Sequence, residues 1–232
     1  MSSAMLNCAS MKQLVLDISP SPAPSLGNFV IGRNAELHAY LRQLHRGAVV
    51  ERFVYLWGEA GAGKSHLLQA CVTSEGLYMS RAEHGLLEGE LPEAKLVAVD
   101  DVQYLNDAAQ IGLFNLYNRM RESGGSLLTA GDCAPVHLQL RQDLVTRLGW
   151  GLVYQVHALS DAEKAEALRV HAQQRGFFLA EEVVNYLLRH WRRDLPSLMS
   201  ALVALDRYSL ETKRPITVPM LKELMQGQLD QR

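Results

Sequence analysis

The chain lacks a cysteine framework, a long apolar run and an N-terminal signal sequence. Its three cysteines, Cys8, Cys71 and Cys133, form no CxxC pair, which argues against a disulfide scaffold and against a zinc site. No apolar run approaches the roughly 20 residues that a membrane helix needs. The start, MSSAMLNCAS, has neither the basic residues nor the apolar stretch of a signal peptide. These absences predict a cytoplasmic protein with reduced thiols and no membrane partner.

An excess of basic residues is also missing. Lys and Arg number 23 against 25 Asp and Glu, for a net charge of −2, whereas proteins that mainly grip nucleic acid usually carry a basic surplus. The eight histidines show no HExxH or similar metal-binding spacing. Hydrophobic residues make up 48% of the chain, which is sufficient for a buried core. The composition therefore indicates an ordinary globular protein.

Strand and helix signals alternate through the middle of the chain. The candidate strands are ERFVYLWG, GLYMS, KLVAVDD, SLLTAGD and LVYQVHAL, and amphipathic segments such as AQIGLFNLYNRMRESGG lie between them. This alternation is typical of βαβ units around a parallel sheet. After Leu159 the strand signals stop, and four helical segments follow, the first opening on a capping box of Ser160 and Glu163. We therefore predict an α/β domain at 28–159 and a small all-α domain at 160–232.

Residues 1–27 have a different pattern, which predicts a flexible arm. The apolar stretch MKQLVLDI precedes SPSPAPSLG, and such a Pro- and Ser-rich spacer stays extended. Leucines on an exposed arm are explained if a partner buries them, since each buried leucine contributes about 1.5–3 kcal/mol. The alternative is a disordered tail or an edge strand. The pattern Q-L-x-L at residues 13–16 of this stretch arises often by chance, so it does not exclude that alternative.

The segment GEAGAGKS, residues 58–65, matches G-x-x-x-x-G-K-[ST] in full and lies between a predicted strand and a predicted helix. In this motif glycines let backbone N–H groups surround phosphate oxygens, the lysine neutralises phosphate charge and the hydroxyl reaches Mg²⁺. A plain glycine turn is the alternative. The predicted nucleotide-binding residues of this segment are Gly58, Gly61, Ala62, Gly63, Lys64, Ser65 and His66.

Two acids, Asp100 and Asp101, follow the apolar run LVAV. A strand that ends in an acid beside a phosphate loop can hold the Mg²⁺ shell, so we predict that Asp100 and Ser65 share the metal. We predict that Asp101 orients or deprotonates the attacking water. Two acids that merely cap a strand are the alternative.

From about Asn28 to near the C-terminus, these motifs resemble the nucleotide-binding modules of AAA+ proteins, in particular the DnaA branch of replication initiators. The segment VDDVQYL resembles the magnesium-binding strand of that branch. LLTAGDCAP resembles its sensor-1 strand, which implies that Asp132 lies near the γ-phosphate. LVTRLGWGLVYQV resembles the box that carries an arginine finger, here Arg147, and RRDLPSLMSAL resembles the sensor-2 helix, which implies Arg193 over the phosphates.

The resemblance implies an AAA+ P-loop module, with a parallel β-sheet sandwiched by helices and a small all-α lid domain, that binds ADP or ATP with Mg²⁺. The initiators carry a DNA-binding domain after the lid, and nothing like it fits after the last predicted helix here. That combination resembles the Hda family, the regulatory inactivators of DnaA. Their arm docks on the DNA polymerase sliding clamp, the β subunit, and the matching residues here are Gln13, Leu14 and Leu16.

The resemblance further implies that the chain binds DnaA, with DNA held through the clamp. It would stimulate hydrolysis of DnaA-bound ATP through Arg147 in trans, and so prevent over-initiation of replication. Its own ATPase activity would be weak at most. The sequence leaves open whether the chain forms a homo-oligomer. Two alternatives fit the same motifs: an autonomous ATPase that loads a helicase, and an adaptor whose nucleotide is purely structural.

Overall fold

A computed structural model of the chain describes residues 23–191 and 194–229. The chain forms two compact units, the first ending at Lys164 and the second beginning at Ala165. Within the two described ranges, no helix is long and apolar enough to cross a membrane.

Four of the predicted site residues lie outside the described residues: Gln13, Leu14, Leu16 and Arg193. Their predicted roles in clamp binding and in phosphate sensing therefore stay predictions.

A five-stranded sheet forms the centre of the first unit. Its strands are β1 (Phe53–Trp57), β2 (Gly76–Met79), β3 (Leu96–Val99), β4 (Ser126–Gly131) and β5 (Leu152–Gln155). The strands lie in the order β2-β3-β4-β1-β5, and every neighbouring pair is parallel. The inner strands are apolar along nearly their whole length because helices cover both faces of the sheet. The predicted α/β fold with a parallel sheet is confirmed.

Helices pack on both faces of this sheet: α1 (Ala35–His45), α2 (Lys64–Cys71), α3 (Asp107–Ser123) and α4 (Gln142–Leu148). Side chains alternate across each strand, so Val54 and Leu56 join a cluster with α1 and α2, while Tyr55 joins a cluster with α3 and α4. The sheet is thus the middle layer of three.

Helix α3 shows how local signals set an element of this fold. The Asn106 side chain accepts a hydrogen bond from the Ala109 N–H (2.8 Å), and Gly124 ends the helix in the left-handed conformation at φ 71°. In the sequence this segment is amphipathic, with four apolar residues at helical spacing on one face, and all four are buried: Leu113, Leu116, Tyr117 and Met120.

The second unit consists of helices, and α5 (Asp161–Gln174) leads into it, followed by α6 (Glu181–His190), α7 (Leu195–Thr212) and α8 (Val218–Leu229). The predicted capping box at the start of α5 is present. The Ser160 N–H donates to the Glu163 carboxylate at 2.7 Å, and the Glu163 N–H donates to the Ser160 hydroxyl at 3.2 Å. Leucines from α5, α6, α7 and α8 form a separate core, as predicted for an all-helical lid.

Candidate functional site

Strands β3, β4 and β1 are neighbours in the sheet, and each leads into a predicted site segment at its carboxyl end. β1 ends where the loop at Gly58 begins, β3 is followed by Asp100, and β4 by Asp132. Because Trp57 pairs with Gly131 in register, the residues that follow both strands leave the sheet side by side. The structure therefore gathers these predicted site residues at one edge of the sheet.

The phosphate loop needs glycine for two different reasons. At Gly58 a Cβ would overlap the Val156 carbonyl oxygen, so close approach of the backbone excludes a side chain. Gly63, at φ 101°, precedes α2 in the left-handed conformation, where L side chains are strained. A Cβ at Gly61 would meet nothing within 4 Å, so the loop has open space at its centre.

Lys64 and Ser65 are the first two residues of α2. The Lys64 ammonium donates hydrogen bonds to the carbonyl oxygens of Gly58 (2.7 Å) and Glu59 (3.0 Å), which places its charge over the loop. The Ser65 side chain is exposed, whereas Ala62 is buried. Free N–H groups at the start of a helix attract anions, so the loop, the ammonium and the helix end together form a site suited to phosphate.

The segment that precedes α1 packs over the beginning of α2. The Phe29 ring lies 2.9 Å from the position of a Gly63 Cβ, and the predicted site residue His66 packs its ring against Phe29. One ring nitrogen of His66 also lies 3.0 Å from the Ser25 carbonyl oxygen. Ser25 belongs to the predicted arm at 1–27, so the last residues of that segment contact the α/β unit.

Asp100 is 2% exposed and engaged on several sides. Its Oδ1 accepts a hydrogen bond from the Asp101 N–H at 2.9 Å, and its Oδ2 accepts one from the Tyr78 hydroxyl at 3.0 Å. Burial, more than any charge, raises the pKa of Tyr78 to about 12, so this hydroxyl is a stable donor. A buried carboxylate that keeps about two of its four lone-pair positions suits a divalent cation.

Asp101 has a left-handed backbone, with φ 53° and ψ 41°. Its carboxylate accepts a hydrogen bond from the Gln103 amide at 3.2 Å. Residues other than glycine adopt this conformation at a small energetic cost, and such residues cluster at functional sites. The roles predicted for Asp100 and Asp101 stay predictions.

Asp132 is exposed and follows β4 directly. A hydrogen bond from the core holds the turn that carries Asp132. The hydroxyl of the buried Tyr55 donates to the Cys133 carbonyl oxygen at 2.8 Å. Burial raises the pKa of the Cys133 thiol, and the neighbouring Asp132 carboxylate raises it further. Asp132 thus stands on a rigid turn between the phosphate loop and Asp100.

Arg147, the predicted finger, lies on α4 among aromatic rings. Its guanidinium carbon is 4.1 Å from the ring centroid of Trp150, 5.4 Å from that of Phe114 and 5.7 Å from that of Tyr117. The Trp150 ring is 53% exposed, and Arg147 is half-buried. The Tyr117 ring also packs on Phe53, the first residue of β1. Arg147 therefore lies near the amino end of the sheet.

The structure does not bring Arg147 together with the other predicted site residues. β1 runs from Phe53, near Arg147, to Trp57, which precedes the phosphate loop. At about 3.3 Å per residue, the five steps from Phe53 to Gly58 span about 16 Å. The arginine and the phosphate loop of one chain are therefore at opposite edges of the sheet.

Two family models match the chain. One, described as the bacterial DnaA ATPase domain, matches residues 78–155, and the other, described as the lid domain of Hda, matches residues 161–225. An uncharacterised protein of Haemophilus influenzae is 35% identical over 232 residues, covering 92% of this chain and 98% of the relative.

Solved structures of AAA+ proteins share the fold. Domain III of the Thermotoga maritima replication initiation protein DnaA has a TM-score of 0.71 at 23% identity, over 88% of this chain and 96% of that one. AMPPCP-bound DnaA from Aquifex aeolicus gives 0.65 at 20% identity, over 80% and 65%. The RuvB branch migration motor of T. maritima gives 0.61 at 16% identity, over 88% and 71%. The predicted AAA+ architecture with its helical lid is thereby confirmed.

Proposed function

The chain belongs to the Hda- and DnaA-like AAA+ family, and we propose that it restrains the initiation of chromosome replication. In this proposal it binds ADP or ATP, docks on the DNA polymerase sliding clamp and stimulates hydrolysis of the ATP bound to DnaA. It acts as a regulator of another ATPase, with weak turnover of its own.

The nucleotide part of the proposal rests on the edge of the sheet where β1, β3 and β4 end. Lys64 and the backbone of the phosphate loop would hold the phosphates, and Asp132 would lie beside them. Ser65 and Asp100 fit a magnesium ion, which when bound neutralises charge on phosphate oxygens. The solved A. aeolicus DnaA is described as bound to AMPPCP, which supports an adenine nucleotide.

The observation that carries the regulatory part is the position of Arg147 at the opposite edge of the sheet. Arg147 lies near Phe53, about 16 Å along β1 from Gly58 of its own phosphate loop, and this separation supports a role at the nucleotide of a different molecule. A guanidinium presents several hydrogen-bond donors to phosphate oxygens. In GTPases an arginine finger accounts for about 10³- to 10⁵-fold in rate.

The proposed docking on the sliding clamp rests on the sequence of the N-terminal arm. An extended peptide binds by placing apolar anchors in a groove, and Leu14 and Leu16 would be those anchors, with Gln13 supplying hydrogen bonds. Docking on a clamp that encircles DNA would raise the effective concentration of Arg147 near DnaA without a new catalytic contact.

The test compares hydrolysis of DnaA-bound ATP on clamp-loaded DNA by wild type, Arg147→Ala and Arg121→Ala. Arg121 is a matched control, because its guanidinium also lies by the Trp150 ring, at 5.6 Å from the centroid. We expect Arg147→Ala to lose the stimulation while it keeps nucleotide and clamp binding. We expect Arg121→Ala to keep the stimulation.

Four outcomes would contradict the proposal. Full stimulation by Arg147→Ala would refute the finger, and an equal loss in both variants would assign the effect to surface charge. Rapid turnover by the isolated protein, without clamp or DnaA, would indicate the autonomous ATPase. Complexes that form without any stimulation by wild type would indicate the adaptor.

A further inference from the structure

Tyr78 connects the helix behind the phosphate loop to Asp100. Its hydroxyl donates to Asp100 Oδ2 at 3.0 Å, and the side chain of Gln69, on α2, lies close enough to the same hydroxyl to offset part of the rise in its pKa. Tyr78 lies on the edge strand β2 opposite Ala98 of β3, and its ring packs into the cluster on the α1 and α2 side of the sheet. The Tyr78 hydroxyl thus lies between α2 and the end of β3, and it is bonded to Asp100.

The Asp100 carboxylate depends on this hydrogen bond for its orientation. A buried carboxylate needs hydrogen-bond partners, and the structure gives this one two: the Asp101 N–H on Oδ1 and the Tyr78 hydroxyl on Oδ2. The bond from the N–H of residue 101 to Oδ1 is present with any residue at position 101 except proline, because a backbone group donates it. The bond to Oδ2 depends on the hydroxyl group of Tyr78. Tyr78 therefore fixes which way the carboxylate faces.

We propose that Tyr78 is a positioning residue that holds Asp100 in the orientation in which it contributes to the shell of a divalent cation beside the nucleotide phosphates. The inference rests on the proposed nucleotide binding. Groups that hydrogen-bond a metal-binding side chain commonly change metal affinity by about 10- to 100-fold. Gln69, next to this hydroxyl, lies on the same helix as Ser65, the other residue predicted to bind the cation.

The test measures the affinity for a fluorescent ADP analogue in Mg²⁺ and in EDTA, which separates the cation from the nucleotide. Tyr78→Phe keeps the ring and removes the hydroxyl. In EDTA we expect this variant to bind like wild type. In Mg²⁺ we expect the cation-dependent gain in affinity to fall by about 10-fold or more.

Two comparisons distinguish positioning from a general structural effect. Tyr40→Phe is the matched control, because Tyr40 packs on the same side of the sheet and donates its hydroxyl to the Glu51 carbonyl; it should keep the full Mg²⁺ gain. In an Asp100→Asn background, Tyr78→Phe should have no further effect on the gain, since its carboxylate partner is gone. Thermal unfolding of each variant checks the fold, and Gln69→Leu should reduce the gain in the same direction if Tyr78→Phe unfolds.

A full Mg²⁺ gain in Tyr78→Phe would overturn the positioning role and leave nucleotide binding intact. A further loss in the Asp100→Asn background would also overturn it, because Tyr78 would then act independently of the carboxylate. A wild type that binds the analogue equally in Mg²⁺ and EDTA overturns the inference alone. A wild type that binds no nucleotide overturns the proposed function as well.

Discussion

The guanidinium carbon of Arg147 lies 4.1 Å from the centroid of the Trp150 indole ring. Trp150 is flanked by Gly149 and Gly151, and a Cβ at Gly151 would overlap the Phe53 carbonyl oxygen. The turn that carries the indole is therefore pressed against the start of β1. Stacking on this half-exposed ring restricts the rotamers of Arg147 while its guanidinium stays near the surface, so the arginine is held in one orientation within the isolated chain.

We expect Trp150→Ala to lower the stimulated hydrolysis of DnaA-bound ATP by about 2- to 30-fold, less than Arg147→Ala does. The reason is that a cation–π contact contributes about 0.5–2 kcal/mol, while the guanidinium itself is retained. Trp150→Phe keeps an aromatic face and should fall between wild type and Trp150→Ala in the same assay. Unchanged stimulation by Trp150→Ala would show that the stacking has no role in the reaction.

We expect Gly112→Ala to lower the free energy of unfolding by about 1–3 kcal/mol. Alanine in the interior of a helix normally stabilises it by up to about 1 kcal/mol relative to glycine. Here a Cβ would overlap the Leu87 carbonyl oxygen, so the steric cost reverses the sign. Urea unfolding measures the change, and Gly85→Ala, whose Cβ would meet nothing within 4 Å, is the control. Equal or greater stability of Gly112→Ala would contradict the close packing of α3.

The lid unit should lose stability in mild acid because of His171. Burial, more than the nearby Arg175 charge, lowers the pKa of His171 below its ordinary value of 6.5, and its Nε2 is buried. The unfolded chain therefore takes up a proton at a higher pH than the folded chain. Stability should fall as the pH drops through about 6.5 and level off below the folded pKa.

Thermal unfolding between pH 7.5 and pH 5 measures this effect. His171→Gln cannot be protonated and should show a shallower decline than wild type. His45→Gln, at an exposed position in the last turn of α1, should decline like wild type. Parallel profiles for wild type and His171→Gln would rule out this histidine as the source.

We expect the combined change of Gln13 and Leu14 to Ala to abolish binding to the sliding clamp without changing the thermal unfolding temperature. An apolar anchor and a directional hydrogen-bonding group are removed together. Val15→Ala, at the variable position of Q-L-x-L, is the matched control and should bind normally. A pull-down with purified clamp measures both, and normal capture of the double variant would assign the arm another purpose.

The strands and the phosphate loop were predictable because their signals are local. Each strand is a short apolar run, and the loop is a contiguous motif whose glycines have left-handed or crowded backbones in the structure. The α4 helix, Gln142–Leu148, and the 3-10 helix Arg81–Glu88 were not predicted as elements. Both are too short to show a hydrophobic period.

The contacts around the candidate site could not be predicted, because they depend on register and packing between distant segments. Tyr78 meets Asp100 only because β2 pairs with β3 so that Tyr78 lies opposite Ala98. Tyr117 lies on a helical face whose period predicts burial, but this period does not indicate that Arg147 of α4 would lie against Tyr117 and Phe114. The signal that would have identified Tyr78 as a partner of Asp100 is a tyrosine on the strand that precedes β3, the strand followed by an aspartate.

The length of β1 has a kinetic consequence for the proposed function. The five steps from Phe53 to Gly58 span about 16 Å, so in the proposed function a single molecule cannot bring its own Arg147 to its own phosphates. If Arg147 acts on a second molecule as proposed, stimulated hydrolysis should depend on the concentrations of both proteins. Dilution should then lower the stimulated rate more steeply than it lowers ligand binding by either protein. In the proposed function, the rate of stimulated hydrolysis therefore reports how often the two proteins meet.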